Sequence, residues 1–490
     1  MLSLLDTPAI AAYRAALPPG RLLDFSVTAL DRISVASWSL TFWPTEGPDG
    51  GAHGYGLTDT EARTGAYGEL SEVVHAAAAL RRLPRRAASY RALVNELGGR
   101  GVLDPVAGCL DAGSAYTPDL PLEWVPVTRY GTGESVWVPA EFVAIQPADL
   151  SPGARLITPI TNGLGAGLSL DHALAHGLLE LVQRDGNSVN FRAMAQGTVV
   201  DLDAVTDATT RLLLGWLDAD GVDVLVKLAS TDFGISDFYV VGMDREPMGD
   251  PLMAAACGEA AHPDRDVALR KALLEFCAAR ARLAFTHGPL GPVETVAPPG
   301  YLDAYRRHYS PAGEEPRALA AMRHWRAFTN NEMRRYLSDS VLSDTEHVPF
   351  ASLPTVPGSG DDKAALVRLI ADQLMSEELD ILYADCSPPD ASDVHVVKAI
   401  VPGLEVETMS YYRIGARNLA RLLARGSDLV GLGDPSPGTL PILLTDKGRE
   451  SIGGPAWLDP NAVDRLVGPL YALYREPGRH AAALAAERDR

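Results

Sequence analysis

The residues Ile160-Thr161-Asn162-Gly163-Leu164-Gly165-Ala166-Gly167-Leu168-Ser169, followed by Leu178-Leu179-Glu180-Leu181-Val182-Gln183-Arg184-Asp185, decide how this chain is read. Leu156, Ile157 and Ile160 predict a buried strand ahead of them. Asn162 to Gly167 read as a glycine-rich turn, and Ser169 as the residue that caps the next helix by accepting a first-turn N–H. Leu174, Leu178, Leu181 and Val182 recur at helical spacing and give that helix a buried face. Glu180, Gln183 and Arg184 lie three and four residues apart on a neighbouring face. A strand, a small-residue turn and a helix N-terminus together favour an anion, because unpaired N–H groups point outward there. The glycines alternate and lack the Gly-x-Gly-x-x-Gly spacing of dinucleotide sites, and no Walker lysine follows them.

Working outward, helices on either side repeat this pattern. Gly56-Leu57-Thr58 precedes Ala62 and Glu69, as Gly167-Leu168-Ser169 precedes Ala173 and Glu180, at a constant offset of 111 residues. Ala268 and Glu275 repeat the last part. One turn beyond each glutamate stand Glu72, Gln183 and Ala278. Thr58 and Glu61 form a capping-box pair. Three strand–turn–helix units would each deliver a carboxylate to one place. Carboxylates so gathered repel unless a hard cation sits between them, and magnesium accepts one or two carboxylates plus phosphate oxygens. The bland alternative for Glu69 and Glu72 is a solvated helix face.

The 490 residues are 47% hydrophobic, enough for a large core, and the net charge of -20 argues against nucleic-acid or anionic-membrane partners. Cys109, Cys257, Cys277 and Cys386 are scattered without metal-ligand spacing, which predicts reduced thiols and a cytoplasmic setting. The N-terminus lacks the basic start and long apolar core of a signal peptide, and no apolar run is long enough to span a bilayer. Pro44 to Gly54 reads as a loop, Leu122–Val138 as a hairpin, and Val222–Leu228, Phe238–Val241, Met253–Cys257, Leu379–Asp385 and Val394–Ile400 as strands. His262-Pro263-Asp264 opens a helix running past Arg282, and Asp361 to Met375 is an amphipathic helix. The Pro- and Arg-rich stretch from Pro292 to Gly360 has no clear period.

At these residues the chain resembles the YcaO family. The likeness rests on Asn162-Gly163 through Arg184-Asp185, on the Glu69/Glu72 helix, and on Ala268-Leu269-Arg270-Lys271-Ala272 with Glu275. Val401-Pro402-Gly403-Leu404-Glu405 adds a later segment. It implies an α/β fold of repeated strand–turn–helix units around mixed sheets. The expected division is an N-terminal extension (1–50), a YcaO ATP-binding catalytic domain (51–410) and a C-terminal extension (411–490). It also implies activation of a peptide backbone amide, with ATP and Mg2+ as cofactors. The amide oxygen is phosphorylated after a nucleophile adds to the carbonyl. Cysteine, serine or threonine side chains then give azolines, sulfide gives thioamides and an amine gives amidines. Carried over, Glu69, Glu72, Glu180, Gln183 and Glu275 match metal-binding positions, and Asn162, Arg184, Arg270 and Arg280 match nucleotide or phosphate contacts. No residue is singled out as catalytic in the sense of a general acid or base.

The chain departs from the family pattern at Tyr55 (a lysine in the usual Gly-Lys-Gly), Gly65 (a serine), Gln183 (a glutamate) and Ala278 (a glutamine). The tail lacks a proline-rich ending, and no fused precursor-binding domain is read. The expected partners are a precursor peptide, a separate leader-binding or sulfur-delivery protein, and a second copy of the chain. The best functional reading is an azoline-forming cyclodehydratase of ribosomal peptide maturation. The other class is a non-catalytic nucleotide-binding adaptor. For Arg270 and Arg280 the alternative is pairing with acids. His172, His176 and Glu180 at i, i+4 and i+8 suggest zinc, but no second cluster supplies a further strong ligand. Cys257 and Cys277 read as packing residues, and Tyr411-Tyr412-Arg413 as either core or a substrate-facing strand.

Overall fold

The computed structural model describes residues 6–153, 155–188, 197–246, 250–310, 313–344, 346–391, 393–405 and 412–488. In chain order the first half runs α1 (Pro8–Ala16), β1 (Gly20–Ser26), β2 (Ala36–Pro44), β3 (Gly50–Gly56), α2 (Asp59–Arg82), β4 (Arg86–Ser89), α3 (Tyr90–Leu97), β5 (Pro121–Arg129), β6 (Ser135–Pro139), β7 (Leu164–Gly167) and α4 (Leu170–Ser188). Then come β8 (Thr198–Asp201), α5 (Ala208–Ala219), β9 (Val222–Ser230), β10 (Ser236–Asp244), β11 (Ala255–His262) and α6 (Arg265–Thr286). Four helices follow, α7 (Leu290–Val296), α8 (Tyr301–His308), α9 (Pro316–Arg326) and α10 (Asn330–Ser338). Next are β12 (His347–Pro349), α11 (Lys363–Ser376), β13 (Leu382–Asp385) and β14 (His395–Ile400), and a C-terminal region rich in short helices.

β1, β2 and β3 form one antiparallel sheet. A second has the order β4-β5-β13-β14-β7 with β6 on β5, and a third β11-β10-β9-β8-β12. The second is antiparallel throughout; the third is antiparallel except for the parallel pair β8–β12. Residues before Gly50 therefore supply two of the three strands in the first sheet. β3, β7 and β11 each end a sheet order and each lead directly into a helix, α2, α4 and α6. The repeat read from the spacing is a repeat of structure.

Leu164–Gly167 of the glycine-rich stretch is strand β7, only Asn162-Gly163 ahead of it is turn, and Leu156–Ile160 is not in a strand. The reason is close packing. A Cβ on Gly165 would lie 2.0 Å from the Ala173 carbonyl of α4, and one on Gly54 only 1.9 Å from the Ala62 carbonyl of α2. Glycine lets strand and helix touch through backbone, and periodicity arguments that equate glycine with turns miss this use. The same effect hides β3 inside the Pro/Gly-rich loop expected at Pro44–Gly54. The helix starts are as expected. Thr58 and Glu61 close a full capping box on α2, and the Ser169 hydroxyl accepts the His172 N–H at 3.2 Å.

The apolar faces of α2, α4 and α6 are buried. Ala62, Ala66, Tyr67 and Leu70 pack into the core shared by the first two sheets. Leu174, Leu178, Leu181 and Val182 pack against Leu366, Ile370 and Leu374 of α11. Ala268, Leu269, Ala272, Leu273 and Phe276 pack on β10 and β11. Glu405 of the late segment is buried, accepts the Asn418 N–H at 3.0 Å and donates its own N–H to Asp185 at 2.8 Å. Residues 406–411 and 189–196 lie outside the described residues, and with them Tyr411. Among the described residues no helix is long and apolar enough to cross a membrane.

Candidate active site

The three repeated helices turn their polar flanks toward one cavity of about 800 Å³. α2 contributes Gly65, Gly68, Glu69 and Glu72. α4 contributes His172, His176, Leu179, Glu180, Gln183 and Arg184. α6 contributes Lys271, Glu275, Ala278 and Arg282. On each helix these positions recur every three or four residues, which is one face of a 3.6-residue helix. The cavity is thus walled mainly by helix flanks, with His172 alone from the first turn of α4, where the sequence placed an anion.

Each glutamate is held by a backbone N–H of its own unit's strand or of the turn before it. Glu69 accepts from His53 at 3.0 Å, Glu180 from Gly163 at 2.9 Å and Glu275 from Glu259 at 3.2 Å. Glu72 instead accepts the N–H of Ala166 in β7 at 2.9 Å and so ties the first unit to the second. These bonds aim the carboxylates but do not neutralise them. Burial pushes Glu69 and Glu275 up to about 7 and Glu72 well above the usual carboxylate range, and neighbouring carboxylates reinforce the shift. The Tyr55 hydroxyl is raised by burial and by Glu275 and Glu69. His176, 3.8 Å from Glu72, is lowered to about 3 by burial and then by Lys271, so its imidazole is neutral.

Three cations share the cavity with these carboxylates. Arg184 bridges Glu259 at 3.0 Å and Glu180 at 3.6 Å. Lys271 stands one turn before Glu275 on the same face, and burial lowers its ammonium from the usual lysine range. Arg282 makes a two-pronged pair with Glu476 at 2.7 and 2.9 Å, joined by His287 at 3.1 Å. Glu476 comes from the far C-terminus, so the tail forms part of the cavity wall.

Of the residues read from the sequence, Glu69, Glu72, Glu180, Gln183, Glu275 and Arg184 share this cavity. Asn162 does not line it; it borders a small neighbouring pocket, where its carbonyl accepts the Lys398 ammonium at 2.6 Å. Arg270 and Arg280, expected to contact phosphate, do not line the cavity. Arg270 bonds Asp207 at 2.9 Å. Arg280 is buried between Asp31 and Asp244, each at 2.9 Å. At about 100° per residue, the Glu275 face of α6 carries 271, 278 and 282, while 270 and 280 face away. That periodicity alone singles out Lys271 and Arg282. Nothing in the local sequence signals Glu259 or Glu476, which arrive from a strand and from the tail.

Two expected outcomes follow. Arg280→Met should cost about 3 kcal/mol, because it removes the two-pronged partner of Asp31 and one of the two arginines on buried Asp244, which keeps Arg32. A denaturant melt measures it, and nucleotide affinity should be unchanged in the folded fraction. Gln183 donates to Glu259 at 3.3 Å. Gln183→Glu should therefore set two carboxylates in contact and lower the melting temperature, with Mg2+ and nucleotide restoring it. A thermal melt with and without both additions checks this.

The fold and the cavity define an α/β protein in which three repeated units surround one acidic, water-accessible site. Residues 53–405 match the YcaO family, described as YcaO cyclodehydratase, ATP- and Mg2+-binding, and the chain belongs to that family. An uncharacterized protein of Methanothermobacter thermautotrophicus is 28% identical over 395 residues, 80% of this chain and 91% of its own length. An uncharacterized protein in the tfuA 3' region of Rhizobium leguminosarum bv. trifolii is 25% identical over 327 residues, 64% of this chain and 68% of its own. Among solved structures, YcaO from Methanopyrus kandleri, bound with AMPPCP and Mg2+, aligns with a TM-score of 0.56 at 20% identity, covering 83% of this chain and 91% of that one. A heterocyclase in complex with substrate and cofactor aligns with a TM-score of 0.58 at 18% identity, covering 83% of this chain. This chain spans 52% of that heterocyclase's length. These two likenesses establish the shared fold.

The residues present fit the family's cofactors. The donors are hard carboxylate oxygens whose burial leaves them short of positive charge, the condition a hard divalent ion relieves. Among the described residues no three acidic, histidine or cysteine side chains crowd closely enough to hold one ion. Each Mg2+ would therefore draw one or two carboxylates and complete its shell from phosphate oxygens and water.

Proposed function

We propose that this protein activates a backbone amide of a peptide with ATP, as an azoline-forming cyclodehydratase in the maturation of a ribosomally made peptide. The observation that carries the reading is the arrival of Glu69, Glu180 and Glu275 from three units in one cavity with Arg184, Lys271 and Arg282. Glu69, Glu72, Glu180 and Glu275 would hold Mg2+ on the phosphates of ATP, with Gln183 as a neutral neighbour. Bound there, the ion polarises the phosphate oxygens.

In the reaction a cysteine, serine or threonine side chain of the peptide gives up its thiol or hydroxyl proton to solvent and adds to the preceding carbonyl. The resulting oxyanion takes the terminal phosphoryl group of ATP, releasing ADP. The oxygen then leaves as phosphate while the ring nitrogen loses its proton. Phosphate is a good leaving group where a bare amide oxygen is not. Lys271 and Arg184 would stabilise the negative charge that gathers on the transferred group, and Arg282 would do so where Glu476 releases it. The partners of this reading are the precursor peptide, a separate leader-binding protein, and a second copy of the chain. The setting is the cytoplasm, consistent with the four free cysteines.

A peptide carrying heavy oxygen at the modified carbonyl should yield labelled inorganic phosphate, one label per ring formed. Label appearing only in water while rings still form would exclude the mechanism. Replacement of oxygen by sulfur in the product, read by mass, would move the assignment to a thioamide. A specific observation supports the second reading, a nucleotide-binding adaptor. Tyr55 stands beside Glu275 and Glu69 where the family pattern has a lysine. Failure of every peptide to stimulate ATP turnover would favour it.

A further inference from the structure

The same cavity has a second, apolar wall that the amide-activating machinery does not use. Leu252, Met322 and Trp325 are buried in one contiguous apolar cluster, and Cys257 and Leu473 pack against it. All five also line the cavity. Arg282, paired with Glu476 at 2.7 and 2.9 Å, lines the cavity together with this wall and with Glu69, Glu180 and Glu275. The wall and the carboxylates therefore share one cavity.

We propose that this wall is the pocket for an apolar side chain of the peptide substrate, next to the amide being activated, and that Leu473 helps set its specificity. The inference rests on the amide-activating reading above. The cavity must hold a nucleotide and a substrate. The nucleotide is common to the family, so its subsites belong to the shared region, residues 53–405. Leu473 and the neighbouring cavity residues Ala472, Arg475 and Glu476 lie beyond that region. A wall built in part from this chain's own tail suits the ligand that differs between relatives, which is the peptide. Leucine, methionine, cysteine and tryptophan present adaptable, polarisable surface to an aliphatic or aromatic group. A charged side chain set against these five apolar residues would lose its water.

The test uses the full chain with Mg2+ and AMPPCP. Capped tetrapeptides N-acetyl-Gly-Xaa-Cys-Gly-amide are titrated by calorimetry, Xaa being Phe, Leu, Ser or Asp. The Phe and Leu peptides should bind roughly tenfold more tightly than the Asp peptide. Leu473→Asp should reduce that preference to less than about twofold, because a buried charge opposes apolar contact. AMPPCP affinity should stay within about twofold of wild type. Leu473→Ala, which adds room without charge, should move the preference from the Leu toward the larger Phe peptide and guards against a folding defect in the first variant. Loss of AMPPCP affinity in folded Leu473→Asp would place the nucleotide base at the wall and overturn the inference. So would equal binding of all peptides, or binding of none to the wild type. A preference that is present and lost as expected, with no ATP consumed by any peptide, would uphold the pocket and sink the amide-activating reading instead.

Discussion

Glu275→Gln is expected to lower Mg2+-dependent nucleotide affinity by about tenfold or more while leaving the nucleotide-free protein at least as stable as wild type. The two effects have one cause. Glutamine can still accept the Glu259 N–H that holds Glu275 at 3.2 Å, so the helix and strand stay together. What is lost is a negative charge that burial already disfavours, Glu275 being raised to about 7. Removing it relieves repulsion among the carboxylates and takes charge from the proposed Mg2+ site. The pH dependence has a definite sign. Below the ordinary glutamate range the carboxyl is protonated in both folded and unfolded chains. As pH rises from there to about 7, the unfolded chain releases its proton and the folded one keeps it, so stability falls. Glu69, also raised to about 7, acts in the same direction. Without nucleotide, wild type should melt lower at about pH 8 than at about pH 5, and Glu275→Gln should flatten part of that slope. Calorimetry with AMPPCP and a set of melts against pH measure both halves. Unchanged affinity in the variant would remove Glu275 from the metal site.

The second large effect separates neighbours. Lys271→Ala should reduce ATP turnover by about a hundredfold, the scale found when one preorganised charge is removed from a site of developing negative charge. Arg270→Ala should leave turnover within about threefold and cost at most ~1 kcal/mol of stability, because its partner Asp207 is a partly exposed acid. The contrast lies in one step of helix rotation. Lys271 shares the face of Glu275 and Arg282, whereas Arg270 is turned toward the start of α5. Steady-state phosphate release with the native peptide, compared across both variants, decides. An Arg270→Ala protein as impaired as Lys271→Ala would mean that the ion pair with Asp207 opens during turnover.

Taken alone, the amino-acid order determined the repeat and which helix flanks line the cavity, because both rest on local chemistry. The recurrence of Gly-Leu-Ser/Thr, alanine and glutamate at one offset predicted three like units, and the capping pair Thr58/Glu61 marked a helix start the structure keeps. The placing of Glu69, Glu180 and Glu275 on equivalent helix flanks follows from the same spacing, since equal spacing on equal helices gives equal directions. Only the tertiary structure decided which glycines are strand and which are turn. Gly54 and Gly165 serve close contact with a helix, a demand made by a neighbour and not by the residues beside them. It likewise decided that Arg280 serves Asp31 and Asp244, residues 249 and 36 positions away. Glu259 from a strand and Glu476 from the tail join the cavity for the same reason. An ion pair across such separations is chosen by how sheets and helices pack. Periodicity in a single segment carries no information about it.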